Sequence, residues 1–349
     1  MLDKVYTAIA TPNIALVKYW GKRDEKLILP YNSSISITLD EKFNTTTSVY
    51  FSDKLGNDTF FINGVEQDLK NPDVNERFKI VDELRRMAGV SAHAVVYSVN
   101  SFPTAAGLAS SASGISALVY AANSALDLKL SATDLSIVAR QGSGSSCRSL
   151  MGGFVKWNKG SKSDGSDSYI EQIADEDYWP EISILVAVVS EAKKRISSRA
   201  GMKQTVETSK LYGERPSIAE VHAKLLERAI KERDFSALAK ITMEESNNMH
   251  AVMLDTFPPI IYLNDVSKEV IYTIHELNAS GMVAAYTFDA GPNAVVITTD
   301  KNKSNVYAAL KKIEGIKELV ELRMGKGPRI IGPQYETEIN SIINTNVRA

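Results

Sequence analysis

Apolar and polar residues alternate along residues 35–39, where Ile35, Ile37 and Leu39 interleave with Ser36 and Thr38. Such a period of two predicts a strand with one buried face. Residues 45–51 and 59–62 carry the same β signature, and Asn63-Gly64 after the second is a hairpin turn signal. Residues 6–13 and 92–96 also read as extended, so the N-terminal region is expected to be built on a sheet. Helical spacing of Phe78, Val81, Leu84 and Met87 predicts a helix over 75–87, with Gly89 as its stop. Residues 115–126 and 131–140 predict two more, the second opened by Ser131 and Asp134 as a cap pair. An apolar β run at 182–190 precedes a change of pattern. From Pro216 the chain reads as helical, with Ile218, Val221, Leu225 and Ile230 on one stripe and Phe235, Leu238 and Ile241 continuing into the next helix. A helix at 267–278, strands at 282–286 and 295–298, a helix at 305–313 and a strand at 320–322 follow. The tail beyond them is uninformative.

Length and charge narrow what such a chain does. The 349 residues suit two domains, or one large α/β unit, with a boundary expected soon after residue 190. A formal net charge of -2, with acids and bases interspersed, lacks the basic field that nucleic acid binding needs, so a small metabolite is the expected partner. The lone Cys147 excludes an intrachain disulfide, and His93, His222, His250 and His275 lack the spacing of a metal cluster, so no protein metal-ligand set is expected. With neither a signal peptide pattern nor an apolar run of bilayer-spanning length, the chain is expected to be cytoplasmic and without membrane contact.

Four stretches carry chemistry. Residues 98–114 read as strand, small-residue loop and helix, an arrangement whose free helix N-terminal amides, dipole and hydroxyls suit a phosphate; an ordinary helix start is the alternative. The run Lys18-Tyr19-Trp20-Gly21-Lys22 puts two ammonium groups and two aromatics at the mouth of an apolar strand, where solvated charges and a core tryptophan are the plain alternative. Residues 141–153 gather glycines and serines around Arg148, so exposed amides, hydroxyls and a guanidinium are expected to hold an oxyanion. Finally, Asp289 stands at a strand end before Ala290-Gly291-Pro292. There it either caps a turn or accepts a proton from a substrate hydroxyl beside cationic groups.

Taken in order, residues 13–24, 102–114, 142–153, 255–260 and 287–293 resemble the diphosphomevalonate decarboxylase family. That family belongs to the galactokinase, homoserine kinase, mevalonate kinase and phosphomevalonate kinase (GHMP) superfamily. The resemblance implies a two-domain α+β GHMP-kinase-like fold with the active site in the cleft between domains, an ATP-binding domain over 1–190 and a second over 191–349. It further implies ATP- and Mg2+-dependent conversion of (R)-5-diphosphomevalonate to isopentenyl diphosphate, ADP, phosphate and carbon dioxide by a homodimer. On this likeness Asp289 orients or deprotonates the 3-hydroxyl and Lys18 neutralises charge on the γ-phosphate, while Arg148, supported by Asn13, orients the substrate carboxylate. Tyr19, Trp20, Lys22, Ser143, Ser145, Arg199, Met202 and Ala290 match positions around the substrate. Pro103, Gly107, Leu108, Ala109, Ser110 and Ser111 match the ATP phosphate loop, with Ser98 and Asn100 beside the adenosine. Ser146 departs from the family's expected alanine. Rival readings are a phosphomevalonate decarboxylase, a mevalonate 3-kinase and a non-catalytic ATP-binding sensor.

Overall fold

A computed structural model describes residues 2–102, 110–189 and 195–346, with Ser110 described in its backbone only. The N-terminal sheet has six strands. Val5–Ala10 pairs antiparallel with Thr45–Ser52, which pairs in turn with His93–Asn100. Thr59–Ile62 runs parallel to the last of these and turns back through Asn63-Gly64 onto Val65–Glu66, as the turn signal predicts. The helices Pro72–Ala88, Ser110–Ala125 and Ala132–Gly142 share its core, which includes Val49, Phe51, Phe78, Val81, Leu118 and Val138. Ser131 and Asp134 form the expected reciprocal cap.

The second sheet orders Ile170–Ala174, Phe154–Trp157, Ser34–Thr38 and Asn13–Val17, and it departs from expectation. Ser34–Thr38 is buried on both faces rather than one. Its apolar face packs on Val186, Ile297 and the helices Arg215–Glu232 and Phe235–Leu254, while the Ser34 and Thr38 hydroxyls bond Arg148 and the Met151 carbonyl. The alternation therefore separates core from polar interior, not core from solvent.

A third sheet, Ala284–Phe288, Ala294–Thr299, Ile182–Val188 and Glu318–Leu322, buries every residue of its Ile182–Val188 strand. Two further readings are corrected here, and the tail, on which the sequence is silent, is placed. The buried stripe of Arg215–Glu232 is Ala219, Ala223, Leu226 and Ile230, whereas Val221 and Leu225 stand 56% and 49% exposed. Small alanines let this helix pack close, so side-chain size misled the stripe. The Gly144–Leu150 stretch, expected to expose its amides and hydroxyls, is a buried 3-10 helix. The tail is structured: Arg329–Ile331 pairs with Val5–Ala10, and Glu336–Asn346 sets Ile339 against Leu55 and Val95. Residues assigned by sequence to the second domain thus return to the first sheet.

Candidate active site

The Asn13–Val17 strand delivers Lys18 to the C-terminal half of the molecule, beside the strand Ala284–Phe288, whose next residue is Asp289. That strand begins and ends two residues later than the periodicity predicts, so Asp289 follows it at once and is displayed. Lys18 Nζ donates to Asp289 Oδ1 at 2.7 Å, with the two side chains 1% and 30% exposed. Burial pulls the Lys18 pKa below the ordinary ammonium value, and Asp289 opposes that pull. One carboxylate thus faces solvent and also holds a buried cation.

Arg148 is fixed within the 3-10 helix. Its Nε donates to Asn13 Oδ1 at 3.2 Å and its Nη1 to Ser34 Oγ at 2.7 Å. Asn13 Nδ2 donates to Ser149 Oγ at 2.8 Å and to the Ser145 carbonyl at 3.0 Å. The guanidinium is held at two nitrogens, and it exchanges charge interactions with both Lys18 and Asp289. These four residues, matched one by one from sequence, converge. Cys147 beside them is buried and its thiol is pushed up to about 12, so it stays protonated and inert.

The hydroxyls of Ser111, Ser143 and Ser145 form a row, with Oγ atoms 3.4 and 3.5 Å apart. Arg199 Nη2 donates to the carbonyl of Gly142, the residue before Ser143, at 3.5 Å, and Arg199 also pairs with Glu76. Lys22 pairs with Glu25. A cavity of about 110 Å³ is lined by Phe60, Ile62, Ser98, Asn100, Ser111 and Ile115, among others. It brings Ser98 and Asn100 to the same space as the helix start at Ser111. Pro103, Gly107, Leu108 and Ala109, and the side chain of Ser110, lie outside the described residues.

The aromatic residues are interior. Trp20 is buried with Met202, Tyr262 and Ala290, and its indole N–H donates to Thr205 Oγ1 at 3.1 Å. Gly21, at φ +103, abuts the Tyr212 ring, whose hydroxyl donates to the Trp20 carbonyl at 2.8 Å. The Tyr19 hydroxyl is buried without a protein partner, and a Cβ at Gly144 would stand 2.7 Å from its ring. Trp20, Met202 and Ala290 therefore form a packed wall, whereas Tyr19 ends in an unsatisfied donor.

Sequence reasoning missed Glu245, Arg215 and Asn32. Glu245 sits in register with the apolar Leu238, Ile241, Met249 and Val252 of its helix, and a carboxylate on such a stripe is the signal that could have found it. His250 is buried beside this centre, and its imidazole is pushed down to about 4 by burial and then by Lys18, which keeps it neutral.

Among the described residues no cluster of three metal-ligating side chains exists. The donor set is one part-exposed carboxylate and a row of hydroxyls, which fits Mg2+ carried mainly by nucleotide phosphates and water. No helix is long and apolar enough to cross a membrane among the described residues.

Comparison with known proteins meets this geometry. The model of the diphosphomevalonate decarboxylase-like N-terminal domain matches residues 10–170, and that of the mevalonate 5-diphosphate decarboxylase C-terminal domain matches residues 184–346. The diphosphomevalonate decarboxylase of Ganoderma lucidum is 41% identical, over 94% of this chain and 96% of its own length. The Homo sapiens protein of the same name is 44% identical, over 87% and 79%. The crystal structure of mevalonate diphosphate decarboxylase from Staphylococcus aureus superposes with a TM-score of 0.87 at 38% identity, covering 94% of this chain and 98% of that one. A structure described as MDDEF in complex with MVAPP, AMPPCP and magnesium gives 0.85 at 40% identity over 94% and 98%. With both halves matched and relatives aligned over nearly its whole length, this chain belongs to the diphosphomevalonate decarboxylase family.

Proposed function

We infer that this chain catalyses the ATP-dependent decarboxylation of (R)-5-diphosphomevalonate to isopentenyl diphosphate, releasing ADP, phosphate and carbon dioxide. The observation that carries the reading is the 2.7 Å contact of Lys18 Nζ with Asp289 Oδ1, with Arg148 anchored alongside. The tertiary 3-hydroxyl is a poor leaving group until phosphorylated. Asp289 holds that hydroxyl and takes its proton as its oxygen attacks the γ-phosphate, while Lys18 stabilises the charge that develops on the transferred group. Arg148 orients the substrate carboxylate, and Asn13 orients Arg148. When the 3-phosphate leaves, the electrons of the bond to the carboxylate carbon form the new double bond and carbon dioxide departs.

Tyr19, Lys22, Ser143, Ser145 and Arg199 surround the diphosphate, with Trp20, Met202 and Ala290 forming the wall behind them. Ser111 and the preceding loop take the ATP phosphates, and the cavity by Ser98 and Asn100 takes the nucleoside. Mg2+ bound with ATP supplies charge neutralisation between the phosphates. The nucleotide half spans 1–190 and the second half 191–349, except that the strand Ile182–Val188 lies in the sheet of the second half and the tail after residue 328 returns to the first, and the enzyme works as a cytoplasmic homodimer. Sedimentation equilibrium at twice the monomer mass supports the last point, and a monomer overturns it.

The test offers mevalonate, its 5-phosphate and its 5-diphosphate, each with magnesium-ATP, and follows ADP and carbon dioxide together. Matched release with the diphosphate alone is expected. ADP without carbon dioxide makes the chain a 3-kinase, matched release with the monophosphate makes it a phosphomevalonate decarboxylase, and neither product points to a sensor.

A further inference from the structure

Arg215 opens the Arg215–Glu232 helix and Glu245 lies within Phe235–Leu254, and both side chains are fully buried. They meet as a fork, Nη1 donating to Oε1 at 2.9 Å and Nη2 to Oε2 at 2.8 Å. Each also holds the backbone of one other residue. The Lys18 amide N–H donates to Glu245 Oε2 at 3.0 Å, and the Lys18 carbonyl accepts from Arg215 Nη2 at 3.1 Å and from Asn32 Nδ2 at 3.0 Å. Lys18 lies just beyond the end of its strand, so these side chains replace a sheet partner. His222 Nδ1, 2.7 Å from Glu245 Oε1, completes the carboxylate's bonding. Burial alone would raise the Glu245 carboxyl, but His222, Arg215 and the Lys18 amide hold it down to about 2.

Buried ion pairs contribute little net stability, because desolvation offsets their attraction. What this pair does achieve is geometric. A lysine side chain turns about four bonds, and fixing both peptide groups of Lys18 fixes the point from which its ammonium reaches Asp289. We propose that Glu245 and Arg215 are positioning residues for phosphoryl transfer, acting through the Lys18 backbone to hold its ammonium on Asp289. The proposal rests on Lys18 being the catalytic lysine.

The experiment is a double-mutant cycle in the full chain, with kcat, the KM for magnesium-ATP and the thermal midpoint read for Glu245→Gln, Lys18→Met and their combination. Glu245→Gln is expected to lower kcat by about tenfold or more while nucleotide KM stays within about twofold. In the Lys18→Met background the same change should cost less than about twofold, since no ammonium remains to be misplaced. An equal fractional loss in both backgrounds, or an unchanged kcat, overturns the proposal alone. Wild-type turnover in Lys18→Met overturns the reading of Lys18 and the proposal with it. Should Glu245→Gln fail to fold, Arg215→Met/Glu245→Gln, which removes both buried charges, carries the same cycle.

Discussion

Replacing Lys18 by methionine keeps all but the last atom of the unbranched side chain and deletes its charge. The consequence for stability follows from the unequal burial of the pair. The ammonium is 1% exposed, whereas the Asp289 carboxylate it leaves behind is 30% exposed and already reaches water. Breaking a fully buried pair costs about 3–5 kcal/mol because a charge is stranded, but here the stranded charge is solvated and the desolvated one is removed. Stability should therefore change by no more than about 1 kcal/mol, a shift in thermal midpoint of roughly 1–2 °C for a chain of 349 residues. Turnover has no such compensation. Losing one preorganised electrostatic donor lowers kcat by about 10²–10³, or roughly 2.7–4 kcal/mol of barrier. Coupled ADP and carbon dioxide assays with a melting curve on the same preparation separate the two effects. Turnover within tenfold of wild type would refute the electrostatic role. A midpoint lowered by more than about 4 °C, the equivalent of about 3 kcal/mol, would instead make the pair structural scaffolding.

Other perturbations address the surrounding shell. Arg148→Lys loses the planar contacts to Asn13 and Ser34 and should lower kcat/KM for the diphosphate by about 100-fold with ATP affinity unchanged by titration calorimetry; the opposite pattern moves Arg148 to the nucleotide. In Gly144→Ala the new methyl would lie 2.7 Å from the Tyr19 ring, so denaturant titration should show a loss of about 1–3 kcal/mol and the diphosphate KM should rise; an unshifted midpoint and KM would show that the ring moves freely. Glu245 binds its proton less readily in the folded state, at about 2, than at the ordinary 4.5. A depressed carboxyl stabilises the fold above its unfolded pKa and loses that contribution as pH falls through its folded one, so stability should decline from about pH 5 towards 2. Arg215→Met/Glu245→Gln should decline less over that interval, and an identical acid profile would show that other carboxylates set it.

Parts of this architecture are written locally and parts are not. The Ser131–Asp134 cap and the Asn63-Gly64 turn depend on neighbours in sequence, and both are realised as their residues predict. Motif matching also brought together Asn13 and Lys18, which are near neighbours in sequence, with the distant Arg148 and Asp289. The misreadings arise where tertiary contacts override local pattern. The Ser34 and Thr38 hydroxyls look like a solvent face until Arg148 meets the first and the Met151 carbonyl the second. Val221 and Leu225 outweigh Ala219 and Ala223 in hydrophobicity, yet close helix packing selects the alanines. Glu245 reads as an ordinary helix acid because its partners, Arg215 and the Lys18 peptide, come from elsewhere in the chain.

Among the described residues the first and last strands are neighbours, with Thr7 opposite Ile331, and the Gly56 amide donates to the Asn346 carbonyl at 2.7 Å. During synthesis the Val5–Ala10 edge therefore leaves the ribosome with one side unpaired, and it stays so until the final stretch of chain emerges. Closing that sheet joins segments of very large sequence separation, a slow class of contact. The N-terminal sheet is consequently finished last although it is begun first. A nascent chain stalled before residue 329 should expose an open strand edge to chaperones, while linking the two ends and reopening the chain at a surface loop should leave the completed sheet intact.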